Sequence, residues 1–325
     1  MIGKVKIRHL FLLAWLAALS TKAQVSSENY VQTTERISDT QVLSTTEYYD
    51  GLGRPFEMVE QKKTPDGANL IHLKEYDGLG RDWKTWLPVK DASDFLSISA
   101  ARSQGNNQYR DSHAFSLTEY DGSPLNRINT VEGVGAEWTS HPVKKDYLVN
   151  TSKYPLNCKY YRVSMQGQLQ DKGYYPEGRL YVTKTTDENG NESYEFKNIA
   201  GNVILKRTIC SIDEAADTYY IYDYRGNLAF VLPPNYQEEP SLDLYAYQYK
   251  YDGQGNCTWK KLPGCEPIYM KYDLSGRMTY LQDGNLRKKG LWEFCVYDKL
   301  GRLAVQGTTA SISDVSKIHV YALYT

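Results

Sequence analysis

An excess of charge of either sign is what this chain most plainly lacks: 38 lysines and arginines stand against 39 aspartates and glutamates over 325 residues, a net charge of −1. With no basic surplus to neutralise a phosphate backbone or settle on an anionic bilayer, nucleic acid is not an expected partner. Histidine is sparse too, with five in all. His72, His113, His141 and His319 stand apart from one another, and His9 sits in the N-terminal apolar region. Nucleophilic catalysis needs a base beside its Ser or Cys, and no GxSxG elbow is present. The expectation is no enzyme, no catalytic residue, no metal and no cofactor.

Other absences narrow the field further. Gly253-Gln254-Gly255 lacks the third glycine of a dinucleotide loop and reads as a turn, and no DxDxDG calcium loop occurs. The five cysteines, Cys158, Cys210, Cys257, Cys265 and Cys295, match no zinc spacing, and an odd number leaves at least one unpaired. They are expected to be scattered buried thiols. Only one long apolar run occurs, Leu10 to Leu19, about half of what a bilayer crossing needs. Lys4, Lys6 and Arg8 precede it, and the small residues Thr21 and Ala23 follow. Residues 1–23 therefore read as a secretory signal cleaved before Gln24, which puts the mature chain in the periplasm, at the outer surface or in the medium.

What the chain has in quantity is tyrosine, 29 residues against six tryptophans and seven phenylalanines. Many of these belong to one repeated pattern, YDxxG followed by Arg or Asn, which begins at Tyr49, Tyr76, Tyr222, Tyr251, Tyr272 and Tyr297. Asp at the first position of a four-residue turn accepts hydrogen bonds from backbone amides, and Gly at the fourth takes a positive φ. The pattern is thus a type I turn closed by a glycine bulge, joining two antiparallel strands. The pairs expected to build these turns are Asp50 with Gly53, Asp77 with Gly80, Asp223 with Gly226, Asp252 with Gly255, Asp273 with Gly276 and Asp298 with Gly301. Looser copies add Asp187 with Gly190 and Asn198 with Gly201, and Tyr120-Asp121-Gly122 is a third, broken by Pro124. The turn glycines 201, 226, 255, 276 and 301 are 25, 29, 21 and 25 residues apart, which suits two strands and a return loop per unit.

In chain order, residues 24–46 read as a polar, flexible or edge-strand lead-in. Residues 47–173 form an N-terminal domain with two YD hairpins and a non-repetitive insert, and 174–325 form the YD-repeat array. In the insert, a short helix is expected near 94–104, followed by a loop from Gln104 to Ser112; strands are expected at Lys145–Val149 and Lys159–Ser164. Pro233 and Pro234 end a strand, and Asn235 to Asp243 reads as a loop. The aromatics that could face a ligand are Trp83, Trp86, Tyr245, Tyr247 and Tyr249, the alternative for each being packing within the array. The fold class is all-β: an array of antiparallel hairpins forming a coiled sheet or partial shell.

These YDxxGR units, over 47–88 and 175–307, resemble the YD repeats of bacterial Rhs proteins and their teneurin relatives. The 115–150 stretch, with YDGSPLNRI and GVGAEW, resembles the uncharacterised domain that often begins such proteins. The resemblance implies a sheet coiled into a hollow shell around a C-terminal toxin or effector, with this chain a wall or cap segment. At about ten hairpins it is expected to be a truncated shell that cannot close alone. Implied partners are a C-terminal continuation or a separately encoded shell or effector. A second reading is a secreted module that holds surface carbohydrate on its aromatic strips. Ser316 to Thr325 carries one charge, Lys317, and no proline, so self-association through this C-terminal strand is also expected.

Overall fold

The computed structural model describes residues 28–38, 42–212 and 214–310. The export signal of 1–23, its cleavage point before Gln24 and the C-terminal strand of 316–325 lie outside the described residues. By contacts the chain divides into two units: one comprises residues up to Lys145 with Asp187–Gly190, the other Asp146–Thr186 and the residues from Asn191 onward. The division therefore falls at 145/146, earlier than the 173/174 boundary expected from the repeats.

In the first unit, β1 (Asn29–Arg36), β2 (Val42–Tyr49), β3 (Pro55–Glu60) and β4 (Asn69–Tyr76) pair antiparallel in chain order. The lead-in is thus the edge-strand alternative, because β1 pairs with β2 along its whole length. The far side of β4 is shared. Its first half pairs with β6 (Val89–Asp91) and its second half with β5 (Asp82–Trp86). Leu87 and Pro88 make the break, where proline has no N–H to give a ladder. From β5 the sheet continues through β7 (Phe115–Tyr120), β8 (Ile128–Glu132) and the start of β9 (Val143–Val149). This last pairing extends the N-terminal sheet past the irregular turn chemistry that marks the stretch in sequence.

Between β6 and β7 lies α1 (Ile98–Tyr109), capped by Ser97, whose Oγ accepts the Ala100 amide at 3.3 Å. The helix starts later than expected and runs through the Gln104–Tyr109 segment that the sequence marks as loop. The cause is visible in its polar residues. Gln104 Nε2 donates to the Lys90 carbonyl (2.7 Å), Gln108 Oε1 accepts the Lys90 amide (2.9 Å), and the Tyr109 hydroxyl donates to the Pro88 carbonyl (2.6 Å). Polarity here caps the open edge of β6. Gly105 is a packing residue: a Cβ there would sit 3.3 Å from Trp86 Cε3. The core gathers Phe56, Val59, Ile71, Leu73, Trp86, Val89, Ala101 and Phe115.

The second unit is a run of antiparallel strands in chain order: β12 (Tyr181–Thr186), β13 (Glu192–Lys197), β14 (Val203–Ser211), β15 (Glu214–Tyr222), β16 (Leu228–Leu232), β17 (Tyr247–Tyr251), β18 (Cys257–Lys261), β19 (Ile268–Tyr272), β20 (Met278–Gln282), β21 (Trp292–Tyr297) and β22 (Leu303–Thr309). A separate hairpin, β10 (Lys159–Val163) with β11 (Leu169–Tyr174), precedes them. Two short helices were not read from sequence, α2 (Pro234–Glu238) and α3 (Gly284–Lys288). Pro234 sits in the first turn of α2, where its missing N–H costs nothing, so part of the expected loop is helical. The buried core spans Cys158 to Ala246. Among the described residues beyond Ala246, Met270 is the one buried hydrophobic. The sheet from β17 onward is therefore held by its ladders and turns more than by a packed interior.

Candidate functional site

The feature repeated with one geometry is the tip of each hairpin. At the first, the Gly53 amide donates to the Asp50 carbonyl and the Asp50 amide to the Arg54 carbonyl, both at 3.0 Å. Asp50 Oδ1 accepts the amides of Leu52 and Arg54 at 2.9 Å, which closes the loop. Gly53 has φ 76°, and the other seven predicted turn glycines, Gly80, Gly190, Gly201, Gly226, Gly255, Gly276 and Gly301, lie between 75° and 89°. The structure places Asp77, Asp223, Asp252, Asp273 and Asp298 with the same pair of amide contacts, and Asn198 makes them through its carboxamide oxygen. Asp187 accepts the Asn189 amide at 2.9 Å, and the Gly190 amide donates to its carbonyl at 3.0 Å.

The sixth motif position has a role that the sequence reading missed. Because Oδ1 is occupied by amides, Oδ2 is free for the residue after the glycine, and that residue takes it. Arg54, Arg81, Arg277 and Arg302 donate Nε to Oδ2 of Asp50, Asp77, Asp273 and Asp298 at 2.7–2.8 Å. Asn227 and Asn256 do the same with Nδ2 at 3.1 and 3.0 Å. The restriction to Arg or Asn was the available signal: both carry a nitrogen donor that reaches back to the carboxylate. The carboxyls of Asp50, Asp77, Asp252, Asp273 and Asp298 are held below their ordinary range. For Asp50, Asp77 and Asp298 the amide of the following Arg is the foremost cause, and for Asp252 it is the Asn256 side chain.

Five of the six motif tyrosines tie their hairpin to an earlier one; the first, Tyr49, donates to Glu47 Oε2 of its own strand at 2.7 Å. Each of the five hydroxyls donates to the carbonyl immediately after the previous Arg or Asn. Thus Tyr76 donates to Pro55 (2.7 Å), Tyr222 to Val203 (3.0 Å), Tyr251 to Leu228 (2.9 Å), Tyr272 to Cys257 (3.0 Å) and Tyr297 to Met278 (2.9 Å). Tyr120 donates to Asp82 at 3.0 Å, so the link is kept across the α1 insertion. Where the earlier residue is Arg, its guanidinium also lies on the tyrosine ring: Arg54 on Tyr76 (4.5 Å), Arg81 on Tyr120 (4.3 Å) and Arg277 on Tyr297 (5.0 Å). One arginine thereby clamps its own turn and grips the next.

The aromatics expected to face a ligand divide. Trp86 is 6% exposed, donates its indole N–H to Glu75 Oε1 at 2.7 Å and packs on Phe115, so it is a core residue. Trp83, an odd number of residues away on the same strand, points to the opposite face and is half-buried under Lys84, so the two cannot form one platform. Tyr245 lies outside β17, in a loop, with its hydroxyl 3.1 Å from Glu239 Oε2. This leaves Tyr247, Tyr249 and Tyr251 as the strip, with Tyr247 exposed and Tyr249 half-buried.

The remaining polar groups have local roles. His72 lies 3.2 Å from Glu60, His113 lies 3.2 Å from Glu132, and His141 bonds Ser140; His319 is outside the described residues. All five cysteines are free thiols. Cys158 is buried, and burial pushes it up to about 12, but Cys210 and Cys265 are exposed, contrary to a wholly buried set. Among the described residues no cluster of three metal-ligating side chains occurs, and no helix is long and apolar enough to cross a membrane.

Residues 20–149, which include the 115–150 stretch singled out above, match a domain of unknown function, DUF6443. No curated protein matches the chain. The solved TcdB2-TccC3-Cdc42 structure is similar with a TM-score of 0.57 at 14% identity, covering 94% of this chain and 15% of that one. The TcdB2-TccC3 structure gives 0.54 at 16%, covering 87% of this chain and 14% of that one. At such identities the likeness is one of fold, and this chain spans about 15% of the length of the structures it matches.

Proposed function

We propose that this chain is a wall or cap segment of an exported Rhs-type shell, a structural protein that encloses a toxin or effector supplied by a continuation of the chain or by a separate one. The observation that carries the reading is the tyrosine link, which joins five of the six YD hairpins to an earlier turn through the equivalent carbonyl and so makes a sheet that grows sideways by addition of like units. The sparse burial beyond Ala246 supports it, since a wall has no need of a packed interior of its own. The similarity to a small part of a much longer chain, in the TcdB2-TccC3-Cdc42 structure, supports a role as one piece of an assembly.

The test is co-expression with the reading frame downstream of this one, followed by limited proteolysis of the purified product. The expected result is a downstream segment that resists protease when co-expressed and is digested when made alone. Equal digestion in both cases would overturn the container. Export is tested separately by N-terminal sequencing of the native product, with Gln24 expected first and an intact Met1 refuting it.

A further inference from the structure

One turn in the second unit departs from the motif at its cap and at its tyrosine position, and a cavity of about 300 Å³ lies beside it. Its cap is Asn198, its sixth position is Asn202, and Lys197 stands where other repeats carry tyrosine. In the Asp-capped turns, the Asn227 and Asn256 carboxamides donate to the carboxylate Oδ2. Asn198 uses its oxygen on the amides of Ala200 and Asn202, so its other atom is an NH2 group, a donor that offers Asn202 no acceptor. Among the described residues, Asn202's side chain has no hydrogen-bond partner. Nor does an arginine follow Gly201 to cover the ring of the next tyrosine, Tyr222, which still donates to the Val203 carbonyl.

The cavity is bounded by the β10–β11 hairpin, which contributes Tyr160 and Arg162, and by Tyr175, Tyr220 and Tyr222. The rings of Tyr160 and Tyr175 lie 4.5 Å apart. Among the described residues, the hydroxyls of Tyr160 and Tyr220 and the guanidinium of Arg162 have no partner. Of the lining residues one is acidic, Asp223, and its oxygens are taken up by Arg225, Asn227 and the Asn227 carboxamide. Two cationic side chains, Lys159 and Arg162, against the single carboxylate of Asp223 leave the wall with an excess of positive charge.

Ring faces flanked by amide and hydroxyl donors suit a ligand with C–H faces and hydroxyl edges, and an unpaired guanidinium suits a carboxylate. The volume lies at the small end of ligand sites, enough for one or two sugar units. We infer that this cavity is a binding site for the end of an acidic oligosaccharide, its carboxylate on Arg162 and its ring against Tyr160 and Tyr222. The site lies apart from the Tyr247–Tyr251 strip and is independent of whether the sheet encloses a cargo.

Calorimetric titration of the full chain with digalacturonate, and with uncharged digalactose as its counterpart, tests the assignment. Digalacturonate is expected to bind in the millimolar range or tighter, with the neutral disaccharide weaker by about tenfold. Arg162→Ala should remove that preference and leave the neutral sugar's affinity unchanged. Tyr160→Leu should weaken both ligands, with thermal unfolding of both variants held as the check on fold. Binding of neither sugar, or binding that survives both substitutions in a folded protein, overturns the site. Equal binding of the two sugars overturns the role given to Arg162.

Discussion

The guanidinium of Arg54 lies 4.5 Å over the ring of Tyr76, a residue of the next hairpin, while its Nε holds Asp50 of its own. Side chain and backbone act together in this contact, because the same tyrosine donates its hydroxyl to Pro55, the residue after Arg54. The hairpins are therefore coupled through their tips as well as through their strands.

The hydroxyl link can be weighed by Tyr297→Phe, which removes the 2.9 Å bond to Met278 and leaves the ring on Arg277. A loss of about 1 kcal/mol is expected, the net worth of one partly buried hydrogen bond. Denaturant unfolding measures it; a midpoint unchanged from the parent would show that the link adds nothing to stability.

Turn glycines should differ among themselves. Gly301→Ala forces an alanine into φ 78° with the nearest atom 3.6 Å away, so only the backbone strain of about 1–2 kcal/mol applies. At Gly80 a Cβ would stand 2.5 Å from Arg54 Nη1, so that arginine must also leave Tyr76. Gly80→Ala is expected to cost more than Gly301→Ala by about 0.5–1 kcal/mol, the scale of an exposed cation–π contact. Equal midpoints would mean the arginine moves without loss.

Much of this was legible in the sequence, and the rest was hidden for identifiable reasons. Asp and Gly at fixed spacing announce their turn because each answers to local backbone geometry alone. The partners of Arg54 and Tyr76 are not local: they become neighbours only when consecutive hairpins pair. Gly105, Gln104 and Gln108 read as loop because a polar, glycine-containing segment is ordinarily solvated, whereas here it seals a strand edge and packs on Trp86. The cavity beside Asn202 was also written in the sequence, as the exchange of Asp for Asn at 198, but a carboxamide caps the backbone as well as a carboxylate does. Its consequence appears only at the second oxygen.

Stability should fall between mildly acidic and neutral pH because of Glu57. The residue is 2% exposed, Oε1 accepts the Leu96 amide at 3.0 Å, Oε2 has no partner among the described residues, and burial raises its pKa to about 7. With the folded value above the unfolded 4.5, the contribution is full below pH 4.5 and is lost as pH rises through 7. The turn carboxylates of Asp50, Asp77, Asp252, Asp273 and Asp298 have the opposite sign: their folded values are lowered, so what they contribute is lost as pH falls below 3.8. Glu57→Gln keeps the shape without the charge, and is expected to stabilise the protein at pH 8 by on the order of 3 kcal/mol and to change little at pH 4. Parallel pH–stability curves for parent and variant would rule this out.

The last prediction compares two arginines with identical turn roles. Arg277 clamps Asp273, lies on Tyr297 and has 35% of its side chain exposed; Arg302 clamps Asp298 with 73% exposed and has no aromatic ring over it among the described residues. An exposed ion pair alone contributes about 0–1 kcal/mol, and the ring contact adds roughly 0.5–1 kcal/mol where it is made. Arg277→Ala should therefore destabilise the chain more than Arg302→Ala does. Placing one further hairpin after residue 310, with a tyrosine set to donate to the Leu303 carbonyl, should raise the cost of Arg302→Ala to that of Arg277→Ala. Replacing that tyrosine with leucine should return it to the lower value. If Arg302→Ala is already as costly as Arg277→Ala in the unextended chain, its guanidinium is engaged by something other than a succeeding repeat, and sideways growth at β22 is the wrong account of the exposed clamp.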